Sequence, residues 1–158
     1  MNKYAFYDFK FKILKIGYTD TAITLLKTVE QIDAPNQRSE LSDRVFDQIC
    51  EYLKGMRKTF DFPYQLHGTE FQKKVWNALC QIPYGEIRSY KQIAEAVGNP
   101  KASRAVGMAN NKNPIAIVIP CHRVVGADGS LVGYAGGLDM KRALLELERS
   151  RDLYKGEM

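Results

Sequence analysis

The sequence is poor in the residues from which many functions are built. Its 158 residues include three cysteines, Cys50, Cys80 and Cys121, and two histidines, His67 and His122. The cysteines form no CxxC pair and are odd in number, which argues against a disulfide framework and suits a reducing cytosol. The same scarcity leaves too few ligands for a zinc site, so no metal is expected. No run approaches the roughly 20 apolar residues that a membrane span requires. Met1-Asn2-Lys3-Tyr4 lacks the apolar segment of a secretory signal, so the expected location is the cytoplasm, or the nucleus in a eukaryote. Gly133-Tyr134-Ala135-Gly136-Gly137 falls short of a GxGxxG pattern, and no nucleotide cofactor is expected. Internal repeats and low-complexity tracts are absent too.

What is present fits an ordinary globular chain. Hydrophobic residues make up 45% and charged ones 26%, enough to bury a core in one medium domain or two small ones. The net charge of +5 is uneven: residues 1–61 hold 10 Lys/Arg against 9 Asp/Glu, and the remainder 13 against 9. That excess is a weak pointer to a polyanionic partner.

The pattern of elements divides the chain near residues 60–66. Before it, Phe9, Phe11, Ile13 and Leu14 read as one strand, and Thr19-Asp20-Thr21 as a turn between further extended segments. Ser39 or Ser42 caps a helix carrying Leu41, Val45, Ile49, Tyr52 and Leu53, ended by Gly55. The expectation is an α+β chain: a small N-terminal α/β domain over 1–65, then a mainly helical domain over 66–158. The second domain opens on the capping box Thr69-Glu70-Phe71-Gln72, with Phe71, Val75, Trp76 and Leu79 at helical spacing. Ser89-Tyr90-Lys91-Gln92 is another capping box. Asn99-Pro100 then starts a helix rich in small residues, Ala102, Ser103, Ala105, Gly107 and Ala109, with one long cation, Arg104. Two short helices joined by a glycine-containing turn outline a helix-turn-helix. Small residues there permit close approach to a duplex, and equally to another helix. A last helix runs from about Leu138 to Arg149, with Met140, Leu144 and Leu147 on its apolar face and Glu148 beside it.

The most informative segment is Ile117-Val118-Ile119-Pro120-Cys121-His122-Arg123-Val124-Val125. Cysteine inside an apolar run is usually inert packing. Here Pro120 breaks the run and cations follow directly, and a cation or base beside a thiol favours the reactive thiolate. Cys50 and Cys80 lie on helix faces with nothing beside them to activate a thiol.

Ile-Pro-Cys-His-Arg-Val-Val, Asn113-Pro114 before it, the Ser-Tyr-Lys-Gln-Ile-Ala and Asn-Pro-Lys-Ala-Ser-Arg-Ala-Val-Gly helices and the Tyr-Ala-Gly-Gly-Leu loop together resemble the O6-alkylguanine-DNA alkyltransferases, in the family's order across residues 66–149. The resemblance implies a single-turnover repair enzyme that needs no cofactor. It would act as a monomer on double-stranded DNA carrying O6-alkylguanine, with O4-alkylthymine a second substrate. Cys121 would accept the alkyl group irreversibly, His122 would be its base, and Glu148 would fix the imidazole. Tyr90 would protonate the leaving guanine. Arg104 would fill the gap left by the flipped base, with Ala102, Ser103 and Ala105 around it on the recognition helix. Asn113 would be the hinge between that helix and an active-site strand. The carbonyls of Cys121 and Val124 and the Tyr134–Ala135 segment would line the base pocket. Ala135 departs from relatives that carry serine there, and the N-terminal domain lacks the Cys/His set that binds zinc in some members.

Three alternatives differ by observable features. A non-enzymatic sensor of alkylated DNA would share the helix-turn-helix but lack the acceptor cysteine. A thiol hydrolase using Cys121, His122 and Glu148 would need an oxyanion hole, and nothing marks one. A helix-turn-helix regulator would ordinarily carry a dimerisation element.

Overall fold

The computed structural model describes residues 2–156, with side chains through Arg149. It divides into two compact units, the first ending at His67 and the second beginning at Gly68.

The first unit is a three-stranded antiparallel meander, β1 (Lys3–Phe9), β2 (Lys12–Tyr18) and β3 (Ile23–Val29), followed by a helix, α1 (Glu40–Leu53). In β2 the alternation Leu14, Ile16, Tyr18 faces inward, which fixes the register Tyr4↔Gly17 and Ile16↔Leu26. A one-residue slip would turn that set to solvent. Ser39 caps α1 in a reciprocal box with Ser42. Val45, Ile49 and Tyr52 are wholly buried along its inner face. Tyr7 ties sheet to helix: its ring stacks on Phe46 at 4.4 Å, and its hydroxyl donates to Asp43 Oδ1 at 2.5 Å. The segment from Phe9 to Leu14 is not one strand. The chain reverses at Lys10-Phe11, and Lys12 adopts φ 86° to make the turn. No Asn-Gly or Asp-Gly signal announces this hairpin, because a lysine occupies the left-handed position that glycine usually fills.

The second unit contains α2 (Glu70–Leu79), β4 (Arg88–Ser89), α3 (Tyr90–Ala96), α4 (Ser103–Asn111), a single 3-10 turn over Cys121–Arg123, β5 (Val124–Val125) and α5 (Leu138–Gly156). Both expected capping boxes form, Thr69 with Gln72 and Ser89 with Gln92. Helices α3 and α4 make the helix-turn-helix, and α2 packs behind them. Trp76 sits in the middle, 1% exposed, and its indole Nε1 donates to the Ala109 carbonyl at 2.9 Å. That bond allows a large aromatic to be buried with its one polar atom satisfied. Helix α4 begins three residues later than the Asn99-Pro100 pair implies. The Ala102 N–H closes a turn on the Asn99 carbonyl, and Ala102 at ψ 25° interrupts helical geometry before Ser103. Helix α5 runs past Arg149, where the apolar pattern stops.

A parallel bridge of two residues, Arg88↔Val124 and Ser89↔Val125, joins the start of α3 to the chain just after the 3-10 turn. It positions the helix-turn-helix relative to Cys121. Among the described residues no helix is long and apolar enough to cross a membrane.

The Lys12 conformation yields a stability prediction. A non-glycine residue in the left-handed region is disfavoured by roughly 1 kcal/mol. The Lys12–Glu30 ion pair is exposed on both sides, so losing it matters little. Lys12→Gly is expected to stabilise the first unit by about 0.5–1 kcal/mol, seen as a higher urea midpoint. A lower midpoint would show that the lysine side chain outweighs the backbone strain.

Candidate active site

The site is assembled on the chain between α4 and α5. Ile115 to Ile119 is not a strand, as the hinge expectation had it. It is a series of tight turns, with Ile119 N–H bonded to the Ile115 carbonyl and Cys121 N–H to the Ile119 carbonyl at 2.7 Å. Ile117 takes φ 71° while 2% exposed. A β-branched residue in that region is strained, by about 1–3 kcal/mol. Asn113 holds the strained segment from its side chain. Its Nδ2 donates to the Ile119 carbonyl at 2.7 Å, and its Oδ1 accepts from the Ile115 N–H at 3.0 Å. The strand was expected from the family resemblance, in which Asn113 is a hinge to an active-site strand; here buried turns carry the apolar residues before Pro120.

Cys121 opens the 3-10 turn and is 4% exposed. Burial pushes its thiol up to about 11, although a side-chain bond with Asn113, the charge of Lys141 and the Tyr134 hydroxyl all favour the thiolate. The reading of a thiol lowered by adjacent cations is therefore corrected. The guanidinium of Arg123, next but one in sequence, is turned away onto a carboxylate. A 3-10 turn sends neighbouring side chains in different directions, which a linear reading of Cys-His-Arg misses.

That carboxylate is Glu148 of α5, 1% exposed. Its Oε2 lies 2.7 Å from His122 Nε2, and its Oε1 accepts from Arg123 Nε at 2.8 Å. Arg123 Nη2 reaches Oε2 at 3.0 Å, while Nη1 donates to the Ile82 carbonyl at 2.7 Å. Burial works to raise the pKa of Glu148, but the bonds from His122 and Arg123 outweigh it and hold the carboxyl at about 2. Glu148 is thus an anion, and an anion accepts only. The His122 proton then resides on Nε2, and Nδ1 is the basic nitrogen.

Lys141 is a member of the site that sequence reading passed over. It is fully buried and donates from Nζ to the carbonyls of Val124, Val132 and Gly133 at 2.5, 3.0 and 3.3 Å. Burial lowers its pKa to about 8, against the pull of Cys121. The signal was available: Lys141, Leu144 and Glu148 fall on one helical face at spacings of three and four. Asn110 was missed as well. It lies in the last turn of α4 at 2% exposure, with Nδ2 donating to the Cys121 carbonyl at 3.3 Å.

The remaining predicted residues fall into two groups. Around Cys121, the Tyr134 hydroxyl is buried against the thiol, and its own ionisation is pushed far up by that burial. Gly136 packs closely beside it: a Cβ there would sit 2.7 Å from Met140 Sδ, and the methionine side chain would have to shift. Tyr90 donates its hydroxyl to the Val132 carbonyl at 2.8 Å, so it borders the same loop; Ala135 lies exposed on it. Val124 is fully buried, with its carbonyl held by Lys141. Of the carbonyls expected to line a base pocket, that of Cys121 already accepts from the Val124 N–H and from Asn110 Nδ2, and that of Val124 from Lys141 Nζ. On α4, Arg104 and Ala105 are exposed, while Ala102 and Ser103 are half-buried. The Arg104 guanidinium makes no ion pair among the described residues. Among those residues there is also no cluster of His, Cys, Asp or Glu arranged for a metal.

Residues 70–150 match the family model described as 6-O-methylguanine DNA methyltransferase, DNA binding domain. A methylated-DNA--protein-cysteine methyltransferase of Methanosarcina acetivorans is 53% identical over 131 residues, covering 81% of this chain and 84% of that protein. The crystal structure of Mycobacterium tuberculosis O6-methylguanine methyltransferase superimposes with a TM-score of 0.87 at 46% identity, over 96% of this chain and 94% of that one. The Mycobacterium tuberculosis protein in complex with DNA gives the same TM-score and identity over 94% and 93%. On these matches the chain belongs to the O6-alkylguanine-DNA alkyltransferase (methylated-DNA--protein-cysteine methyltransferase) family.

Proposed function

We propose that this protein repairs alkylated DNA by direct reversal, moving an alkyl group from O6 of guanine onto its own Cys121. The observation that carries the reading is the placement of Cys121. It is a buried thiol on the same 3-10 turn as His122, whose imidazole is held by Glu148 of α5, with Asn113 and Tyr134 near enough to favour its anion.

Cys121 rests as a neutral thiol, so its proton must leave during the reaction. His122 Nδ1 is the acceptor in this reading. Sulfur then forms a bond to the alkyl carbon as the carbon–O6 bond breaks, and the electron pair of that bond departs with guanine. The guanine anion is a poor leaving group, and Tyr90 supplies a proton to it, recovering its own from solvent. To do so the phenol leaves the Val132 carbonyl. Stabilising charge as it develops in this way is worth a few kcal/mol. The resulting thioether has no leaving group that would restore the thiol, so each molecule acts once. Lys141 supports the loop that carries Tyr134 and contributes positive charge beside the sulfur.

A base stacked in a duplex cannot present its O6-alkyl carbon to a buried sulfur, so the nucleotide is extruded, costing about a few kcal/mol. Arg104, exposed on α4 and without an ion pair among the described residues, would occupy the vacated stack, where its planar cation serves better than an ammonium. Ala105 beside it lets the helix approach closely. The reading takes the protein as a monomer working in a reducing compartment, in keeping with an odd number of cysteines that form no CxxC pair.

Three measurements test the proposal. Incubation with excess duplex containing O6-methylguanine, followed by peptide mass analysis, is expected to add one methyl per molecule, on Cys121, and nothing afterwards. Continued turnover, or a methyl on Cys50 or Cys80, would overturn it. Cys121→Ala should abolish transfer while leaving DNA affinity within about threefold, under 1 kcal/mol. Separately, Arg104→Ala should slow transfer from the duplex by at least about tenfold more than transfer from the free modified base. Equal slowing on both substrates would remove the stacking role.

A further inference from the structure

Glu148 is shared. The carboxylate that faces the His122 imidazole is gripped at the same time by the guanidinium of the next residue, which meets both of its oxygens. A lone carboxylate beside a buried imidazole favours the imidazolium, since the opposite charge stabilises the protonated ring. An imidazolium has no lone pair and cannot take a proton from a thiol. A carboxylate whose charge is already matched by an arginine still fixes the ring by hydrogen bonding, but exerts far less pull on its proton.

We propose that Arg123 is a positioning residue for alkyl transfer: its ion pair with Glu148 keeps His122 neutral, with the Nδ1 lone pair available for the Cys121 proton. This rests on the reading of His122 as the base. Arginine suits the task because it stays charged at any working pH and presents a rigid fork to the carboxylate. Its orientation is over-determined, since Nη1 is fixed on the Ile82 carbonyl and the guanidinium lies 5.6 Å from the centre of the Tyr84 ring. The charged groups facing the imidazole are Glu148 and Lys141 from α5 and Arg123 from its own turn. The turn after α2 adds the Gly85 N–H, which donates to Glu148 Oε1 at 3.3 Å. Two cations therefore stand against one anion. Burial lowers the imidazole pKa, Glu148 works to raise it, and Arg123 and Lys141 lower it further.

The competing role for Arg123 is plain scaffolding of the 3-10 turn, and a pH profile separates the two. Transfer from duplex O6-methylguanine is measured from pH 5.5 to 9 for wild type, Arg123→Gln and Arg123→Lys, alongside an NMR titration of the imidazole. His67→Gln leaves His122 as the one histidine signal. In wild type, transfer at pH 6 and pH 8 should agree within about twofold, with His122 neutral at both. Arg123→Gln should move the acid limb upward, so that transfer at pH 6 falls to about a tenth of its value at pH 8, which needs a rise of at least about one pKa unit over a wild-type ring no more than half protonated at pH 6. Its His122 titration should shift upward in parallel. Arg123→Lys should restore the wild-type profile by returning the charge. A uniform fall at every pH, with the histidine titration unmoved, would overturn the proposal. So would a wild-type His122 already protonated at pH 7, a result that needs no variant to fold. Absence of any methyl transfer by the wild type would instead remove the repair reading, and the imidazole titration would still decide the role of Arg123.

Discussion

One buried carboxylate organises the second unit. Glu148 collects bonds from His122, Arg123 and the Gly85 N–H, and so ties α5 to the 3-10 turn and to the loop after α2. Removing an ionised carboxylate from water is expensive, and it persists only where its lone pairs are met by charge and by well-aligned donors. Here they are met by a permanent cation and an imidazole. The three residues of the Cys-His-Arg turn are thereby sent to different tasks. Cys121 is left facing Asn113 and Tyr134, His122 is oriented by the anion, and Arg123 neutralises it.

The thiol is stored rather than displayed. Packing at 4% exposure keeps Cys121 protonated, whereas the groups nearest the sulfur all favour its anion. Such an arrangement restrains the nucleophile until a proton acceptor and an electrophile coincide. That is well suited to a protein that loses its activity with every transfer. The strain at Ile117 and the double grip of Asn113 belong to the same economy, since a turn held in an unfavourable conformation places the sulfur where a relaxed strand would not.

Much of the fold was legible from local signals. The boxes Thr69–Gln72 and Ser89–Gln92 mark helix starts because side chains there satisfy backbone donors that the helix leaves open. They appear where the spacing puts them. The β1–β2 hairpin was not legible, because Lys10, Phe11 and Lys12 carry no turn signature and the reversal is imposed by pairing of the flanking strands. The start of α4 was misplaced for a related reason: Asn99-Pro100 makes a turn as readily as a helix cap. Ile115–Ile119 is an apolar run that composition cannot assign to strand or turn, and only the Asn113 side chain and the left-handed Ile117 reveal the turns.

The sequence by itself determined which atoms are available for chemistry: one cysteine at the end of an apolar run, a histidine beside it, a lone arginine on a small-residue helix. Residue order and helical spacing are local properties, and they name these groups without further help. Tertiary structure alone decided their states. Whether Cys121 is a thiol or a thiolate, which partner Arg123 chooses and why Lys141 is buried all depend on groups up to tens of residues apart in sequence. Desolvation and charge act through space, so the ionisation of the site follows from the packing of α5 against the turn.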